Sequence, residues 1–483
     1  MKSGLNLDFQ SNLGKLRIRF SNKVTFKFIK ITHNYFLIFI INFCVFQTRP
    51  IKASRIPTIK VLILKNKKIR IRADRSIPLT VEGQRFSNKK FKGLTLKQEN
   101  NRKFIFFDKN KKKIYNLKNE DKFVIKTSDV RGIWVGQKRY SGKLKIFVVD
   151  NEILVVNVLG IENYLSSVVG SEMPTKWPME ALEAQAIASR TYALKQKGNA
   201  LYDIDSTNKN QVYSGLEART YKTTKAVNST KALVLIYKNK LINSLFHSSS
   251  AGMTENSQDV WKNKYPYLSS VKDFDKNNPK LRWNQKFSKS QLQKLFPRIG
   301  GINKIEILNV TSTGRVKNVR IHGDFGTDQI SGVDIRKRMN LKSTLVRFKF
   351  IEDNKAISSD ENPKLLTANS LENDSLTHIV RVGDTLIVIA DQYDVSVEAL
   401  VALNNIKDSS LINIGQRLLV PKNYPNSLSS NKILVVSGYG AGHGVGMSQW
   451  GAKYMANKGE KANAILKHFY KGVEIKPFKK YFL

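Results

Sequence analysis

The stretch VVGSEMPTKWPMEALEAQAIASRTYALKQKG, residues 168–198, sets one carboxylic acid directly ahead of a long helical pattern. Pro178 suits the first helical turn, where its missing N–H costs nothing. Glu180 and Glu183 fall in the early turns and Lys195 and Lys197 near the end, which complements the helix dipole. Gly198 supplies the stop. The spacing predicts a helix over 178–198. Leu182, Ala186, Arg190 and Leu194 share one i,i+4 row, so Arg190 either snorkels to the surface or is held against a buried acceptor. Glu172 follows the small, apolar VVGS and precedes two prolines and a tryptophan. Such surroundings exclude water and raise a carboxyl pKa, as a general acid working at neutral pH requires.

Upstream, from Ile56 to about Asn157, short β-type runs alternate with charged turns, as in TIKVLILKNKKIRIRA and GKLKIFVVDNEILVVNVLG. In the second run Asp150-Asn151 reads as a hairpin turn, and Gly160 ends the region. Strands followed by helices predict an α+β fold. The polar segments SLENDSLTHIV (370–380) and PKNYPNSLSSNK (421–432) read as linkers around a compact unit of about forty residues. The boundaries expected are a basic leader over 1–50, a mixed domain over 51–352 and again over 431–483, and an inserted module over 376–421.

The formal net charge is +44, from 82 Lys+Arg against 38 Asp+Glu. Such a field favours polyanions. The excess is spread along the whole chain with abundant Asn and Ile, however, so composition bias outweighs a nucleic-acid site and no specific nucleic acid is expected. One cysteine, Cys44, excludes an internal disulfide. Cys44 lies in YFLIFIINFCVF (35–46), an uncharged run behind a basic leader. The run suits an export signal or, equally, a retained membrane anchor. The chain is expected in the cell envelope.

Three further segments carry small polar residues around single histidines: NQVYSG (210–215), SLFHSSSAGMTENSQDVW (244–261) and GYGAGHGVGMSQWGA (438–452). His247 follows an apolar run that reads as a strand hairpin. Together with ENYLSSVVGSEMPTKWPMEALEAQAIASRTYAL (162–194), in this order, they resemble the stage II sporulation protein D (SpoIID/LytB) family. SGVDIRKRMNLKSTLVRF (331–348) resembles the segment preceding the glycine-histidine stretch. The resemblance implies a domain with a substrate cleft. It implies either a lytic transglycosylase that cuts peptidoglycan between N-acetylmuramic acid and N-acetylglucosamine on strands stripped of peptides, or a non-catalytic enhancer of a cell-wall amidase. Glu172 stands where the family's SEMP motif carries the acid/base. Arg190, Gln211, Tyr213, His247, Ser248, Ser249, Gly252, His443, Gly444, Gly446, Ser448 and Gln449 are then expected to position the sugar, with the glycines letting it approach the backbone.

HIVRVGDTLIVIADQYDVSVEALVALNNIKDSSLINIGQRLLVP (378–421) is similar to the LysM module, a β-α-α-β unit that binds N-acetylglucosamine-containing glycan. Leu386, Ile389, Ala390, Val397, Leu400 and Leu403 are expected to face its small core. The resemblance implies glycan contacts from Gly383, Asp384, Thr385, Leu386, Asn404 and Asn405. Two histidines without a cysteine nearby make a poor zinc site, so neither metal nor other cofactor is expected.

Overall fold

The β-type runs form antiparallel sheets in the computed structural model. It describes residues 57–352, 375–421 and 432–479, apart from short segments at 75–76, 84–85, 101–102, 109–112, 118–121, 199–200, 276–280, 382–383, 394, 396 and 407–411. The leader, with the apolar run 35–46, and Gly383 lie outside the described residues.

Strand Glu152–Gly160 organises the larger sheet, lying between Thr58–Asn66 and Lys143–Val149 in a seven-stranded antiparallel arrangement completed by one short parallel edge strand, Ile204–Asp205. Every residue from Ile153 to Leu159 is buried, as a strand covered on both faces requires. The hairpin before it turns at Asp150 and Asn151, both at positive φ (49° and 61°), which matches the right-handed twist of its arms. A six-stranded sheet built around Lys68–Ala73 contributes to the same core.

At Gly160 the strand runs without a loop into helix α1, Ile161–Glu172. The sequence reading does not predict this helix. Val168, Val169, Gly170 and three serines weaken its local propensity, and burial of Tyr164, Leu165, Val168 and Val169 supplies what propensity lacks. Helix α2, Met179–Lys195, answers the predicted 178–198. All its residues from Ala184 to Leu194 are buried, so it is a central helix wrapped on every side. The chain returns to this core at its end. Helix α3 (Gln449–Asn457) and a helix over Ala462–Phe469 pack on α2, and strand Glu474–Pro477 pairs with Leu233–Tyr237.

A second core gathers Trp283, Phe287, Leu292, Val319, Ile321, Ile335 and Val436. Its sheet sets Lys432–Tyr439 between Arg282–Phe287 and Val346–Glu352. Glu352 pairs with Lys432, and the β-α-α-β module falls between these two residues in sequence. That module has strands Ser375–Ile379 and Arg417–Pro421, paired antiparallel, with helices Leu386–Gln392 and Val397–Leu403 between them.

Several residues of the expected glycan set are engaged within the module itself. Leu386 is 3% exposed and belongs to the small core with Ile389, Ala390 and Leu400, so it is a packing residue. Asn404 spends its amide on backbone: Nδ2 donates to Leu400 O and Leu419 O at 2.8 Å each, and Leu419 N donates to Oδ1 at 2.7 Å. It clamps helix to strand. Asp384 accepts from Arg381 N (2.8 Å) and meets His378 Nε2 (2.9 Å), which shapes the turn. Thr385 Oγ1 accepts from Val388 N at the helix start. Thr385 and Asn405 are exposed, with Asn405 in the left-handed region at φ 51°.

Candidate active site

Glu172 is the last residue of α1, held there because the chain leaves the helix through Met173, whose N–H still reaches Val169 O. Its Oε1 accepts from Val212 N at 2.7 Å, and Gln449 Nε2 stands 3.5 Å from Oε2. Gln449 opens α3, so residues some 277 positions apart meet at one carboxyl group. Burial pushes the Glu172 pKa up to about 7, against the two hydrogen bonds, which act to lower it. The negative end of α1's dipole acts in the same direction as burial. No second carboxylate and no cation contributes to the shift. Such a group is half protonated at neutral pH and can both give and take a proton.

Next to Gln449 on α3, Trp450 packs against an aromatic partner. Trp177 and Trp450 meet edge to face, centroids 5.0 Å apart, and Lys453 Nζ lies 4.5 Å from the Trp450 ring centre and 5.4 Å from that of Trp177. The sequence reading leaves out the Val212 amide, which meets Glu172 directly.

Of the residues expected to position sugar, Gln449 touches Glu172 directly. Ser248 is half-buried, and its carbonyl accepts from Trp450 N (3.1 Å), which ties the HSSS segment to α3. His247 pairs with Ser448 in a two-residue parallel bridge of strands, and its ring lies 5.5 Å from that of His443. His247 Nδ1 donates to Val445 O at 3.1 Å, while Val445 N donates to His443 Nδ1 at 3.1 Å. Both rings are held neutral: burial, joined by nearby positive charge, pushes His443 down to about 3 and His247 well below its usual value.

The others are held by protein groups. Arg190 is 1% exposed; its Nε and Nη2 meet Glu162 at 3.0 and 2.6 Å, and Nη1 and Nη2 donate to the carbonyls of Leu233 and Val227. It is held against a buried acceptor, the less common of its two options, because α1 presents Glu162 to its row. Gln211 is fully buried between Tyr164 Oη and Ser189 O, and Tyr213 Oη donates to Asn157 Oδ1 at 2.8 Å. Ser249 Oγ donates to Asp275, whose carboxylate also accepts from the amides of Ser250, Ala251 and Gly252. A carboxylate in a nest of consecutive N–H groups shapes a loop. Ser448 caps α3 by accepting from Gly451 N. Gly444 and Gly446 sit at φ 84° and 75°, and a Cβ there would lie 2.8 Å from Arg315 Cζ and 2.1 Å from Leu245 O. Their bare backbone admits the close approach of the protein's own chain.

A cavity of about 660 Å³ opens nearby, lined by Gly252, Asp273, Phe274 and Tyr454 among others. Asp273 there has its pKa raised to about 7, by burial and then by Asp275. Among the described residues no group of three or more His, Cys, Asp or Glu is placed to hold a metal, and no helix is long and apolar enough to cross a membrane.

Residues 149–237, which contain Glu172, match the Stage II sporulation protein (SpoIID) family, and residues 378–421 match the LysM domain. The chain is 29% identical to an uncharacterized protein of Brachyspira hyodysenteriae over 73% of its own length and 76% of that protein. It is 28% identical to the stage II sporulation protein D of Bacillus subtilis, over 66% of this chain and 75% of the relative. Against the amidase enhancer of Bacillus subtilis it is 29% identical over 64% of its length but spans only 40% of that protein. Together these likenesses support a cell-wall role in the cell envelope.

Proposed function

We propose that this chain, which carries a SpoIID segment and a LysM domain, is a peptidoglycan lytic transglycosylase with Glu172 as its acid and base. What supports the reading is one carboxyl group with its pKa raised to about 7 by burial, with no second carboxylate acting on it. Hydrolytic glycosidases need two carboxyl groups at a set separation. Transglycosylation needs one, because the sugar supplies its own nucleophile. Glu172 gives its proton to the glycosidic oxygen as the C1–O bond breaks. The carboxylate so formed takes the proton of the muramyl 6-hydroxyl as that oxygen bonds to C1, which leaves a 1,6-anhydro end. Ring closure gains the proximity advantage of an intramolecular reaction. The Val212 amide holds one carboxyl oxygen at 2.7 Å, and the other, met only at 3.5 Å by Gln449 Nε2, is the one to carry the proton.

Mass spectrometry of amidase-treated sacculi incubated with the full chain tests this: anhydro-ended fragments are expected. A second reading has a specific support in the likeness to an amidase enhancer. On that reading the cleft binds glycan without cutting it, anhydro ends are absent, and an amidase is stimulated instead.

The LysM module supports a tether to the polymer. Because Glu352 and Lys432 are paired neighbours, deleting 376–424 and closing with a short Gly/Ser linker costs little chain entropy. The shortened chain is expected to fold and to sediment less with insoluble peptidoglycan, since a tethered module raises the local concentration of the rest. Unchanged sedimentation would remove the module from the anchoring role.

A further inference from the structure

The two donors that meet the Glu172 carboxyl lead back to one residue of the central helix, Ser189. Gln449 Nε2 stands 3.5 Å from Glu172 Oε2 and also 3.5 Å from Oε1 of Gln185 on α2. Gln185 Nε2 in turn donates to Ser189 Oγ at 2.9 Å, one turn along the same helix face. On the other side, Ser189 O accepts from Gln211 Nε2 at 3.3 Å, and Gln211 Oε1 accepts from Tyr164 Oη of α1 at 3.0 Å. Gln211 directly precedes Val212, whose N–H reaches Glu172 Oε1 at 2.7 Å. Gln185, Ser189 and Gln211 are all fully buried.

An amide side chain has two ends of nearly equal size, and its neighbours decide which end faces a given group. The NH2 end of Gln449 carries two hydrogens, one for each acceptor beside it. Turned over, its carbonyl would face two oxygens at once. Gln185 thus supplies the second acceptor that keeps a donor on Glu172, which matters most once the acid has given up its proton. We propose that Gln185 and Ser189 are positioning residues for the acid, holding Gln449 and the Val212 amide on its two oxygens. The inference rests on reading Glu172 as the proton-transfer group. Both residues act through Gln449 and Gln211 rather than on the sugar.

The test reads the ionisation of Glu172 without turnover. Thermal melts of each form of the full chain are compared, from pH 4 to 9, with the same form carrying Glu172→Gln. The stability difference grows with pH and levels off at the folded-state value of Glu172, about 7 in the wild type. Tyr164, which feels the Glu172 charge, is held well above its ordinary value by burial and stays neutral across this range. The Gln449 hydrogen bond lowers the Glu172 value. Gln449→Met should therefore move the levelling-off upward, by up to about one pH unit. Gln185→Met, close in volume, should move it the same way. Ser189→Ala, which a helix accepts readily, should do so to a smaller degree. In the double variant Gln185→Met with Gln449→Met, the shift should equal that of Gln449→Met alone, because Gln185 acts through Gln449. Should Gln185→Met fail to fold, Ser189→Ala with and without Gln449→Met answers the same question. The pH profile of anhydro-product release should move in step. Unshifted levelling-off in Gln185→Met and Ser189→Ala, or a double variant showing the sum of the single shifts, overturns the inference. Shifts as expected with no anhydro product from any form, wild type included, support the positioning and overturn the transglycosylase reading instead.

Discussion

Glu172→Gln is expected to abolish release of anhydro-ended fragments while leaving the fold intact. The amide keeps the size of the side chain and can still meet Val212 and Gln449, but it carries no proton to give. General acid-base help contributes ~10²–10⁴-fold, and with no second carboxylate acting on this group the loss should reach the upper end. The same variant has a stability signature. The Glu172 pKa is raised from 4.5 to about 7, so the folded state binds this proton more tightly than the unfolded chain. Its contribution is fully present below the unfolded value and is lost as pH rises through about 7. At one pH unit per ~1.4 kcal/mol, the ionised group costs the wild type up to about 3 kcal/mol at pH 9, a cost the glutamine does not carry. Thermal melts should therefore coincide at pH 4 and diverge at pH 9, with the variant the more stable. Parallel melts across that range would remove the buried-acid account. Normal anhydro-product release by Glu172→Gln would remove Glu172 as the acid.

Arg190→Met should unfold rather than merely disarm the protein. The guanidinium is 1% exposed and donates to Glu162 and to two carbonyls. Removing it leaves a largely covered Glu162, then held only by Ala232 N, without its counter-charge and two backbone acceptors without their donor, and breaking a buried pair costs about 3–5 kcal/mol. Chemical denaturation should show a loss of that size, and Arg190→Lys should recover only part of it, since an ammonium cannot fork onto a carboxylate. A variant of normal stability that fails to bind glycan would instead return Arg190 to the sugar. The same logic makes the positive charge of this chain a poor guide to its sites: this arginine serves the fold.

The central helix and the hairpin at Asp150-Asn151 were legible because each is written in local spacing, and the β-α-α-β module through its resemblance to LysM. Caps, turn residues and a 3.6 or 2-residue period survive in one dimension. The dry setting of Glu172 was legible too, since its apolar approach and its prolines are its sequence neighbours. Helix α1 was not, because its valines, serines and glycine favour no helix alone and its stability comes from what covers it. The likeness of the motifs also could not say which polar residues face the sugar. Gln211, Tyr213, Ser249 and Ser448 sit in the right segments, yet each spends its hydrogen bonds on protein groups. Buried polar atoms must be satisfied, and whether the partner is a carbonyl or a ligand depends on what folding brings alongside. The carboxyl of Glu172 belongs to the sequence. Its partners Val212 and Gln449 come from segments 40 and 277 positions away: the loop carrying NQVYSG delivers the first, and the packing of α3 against α2 delivers the second.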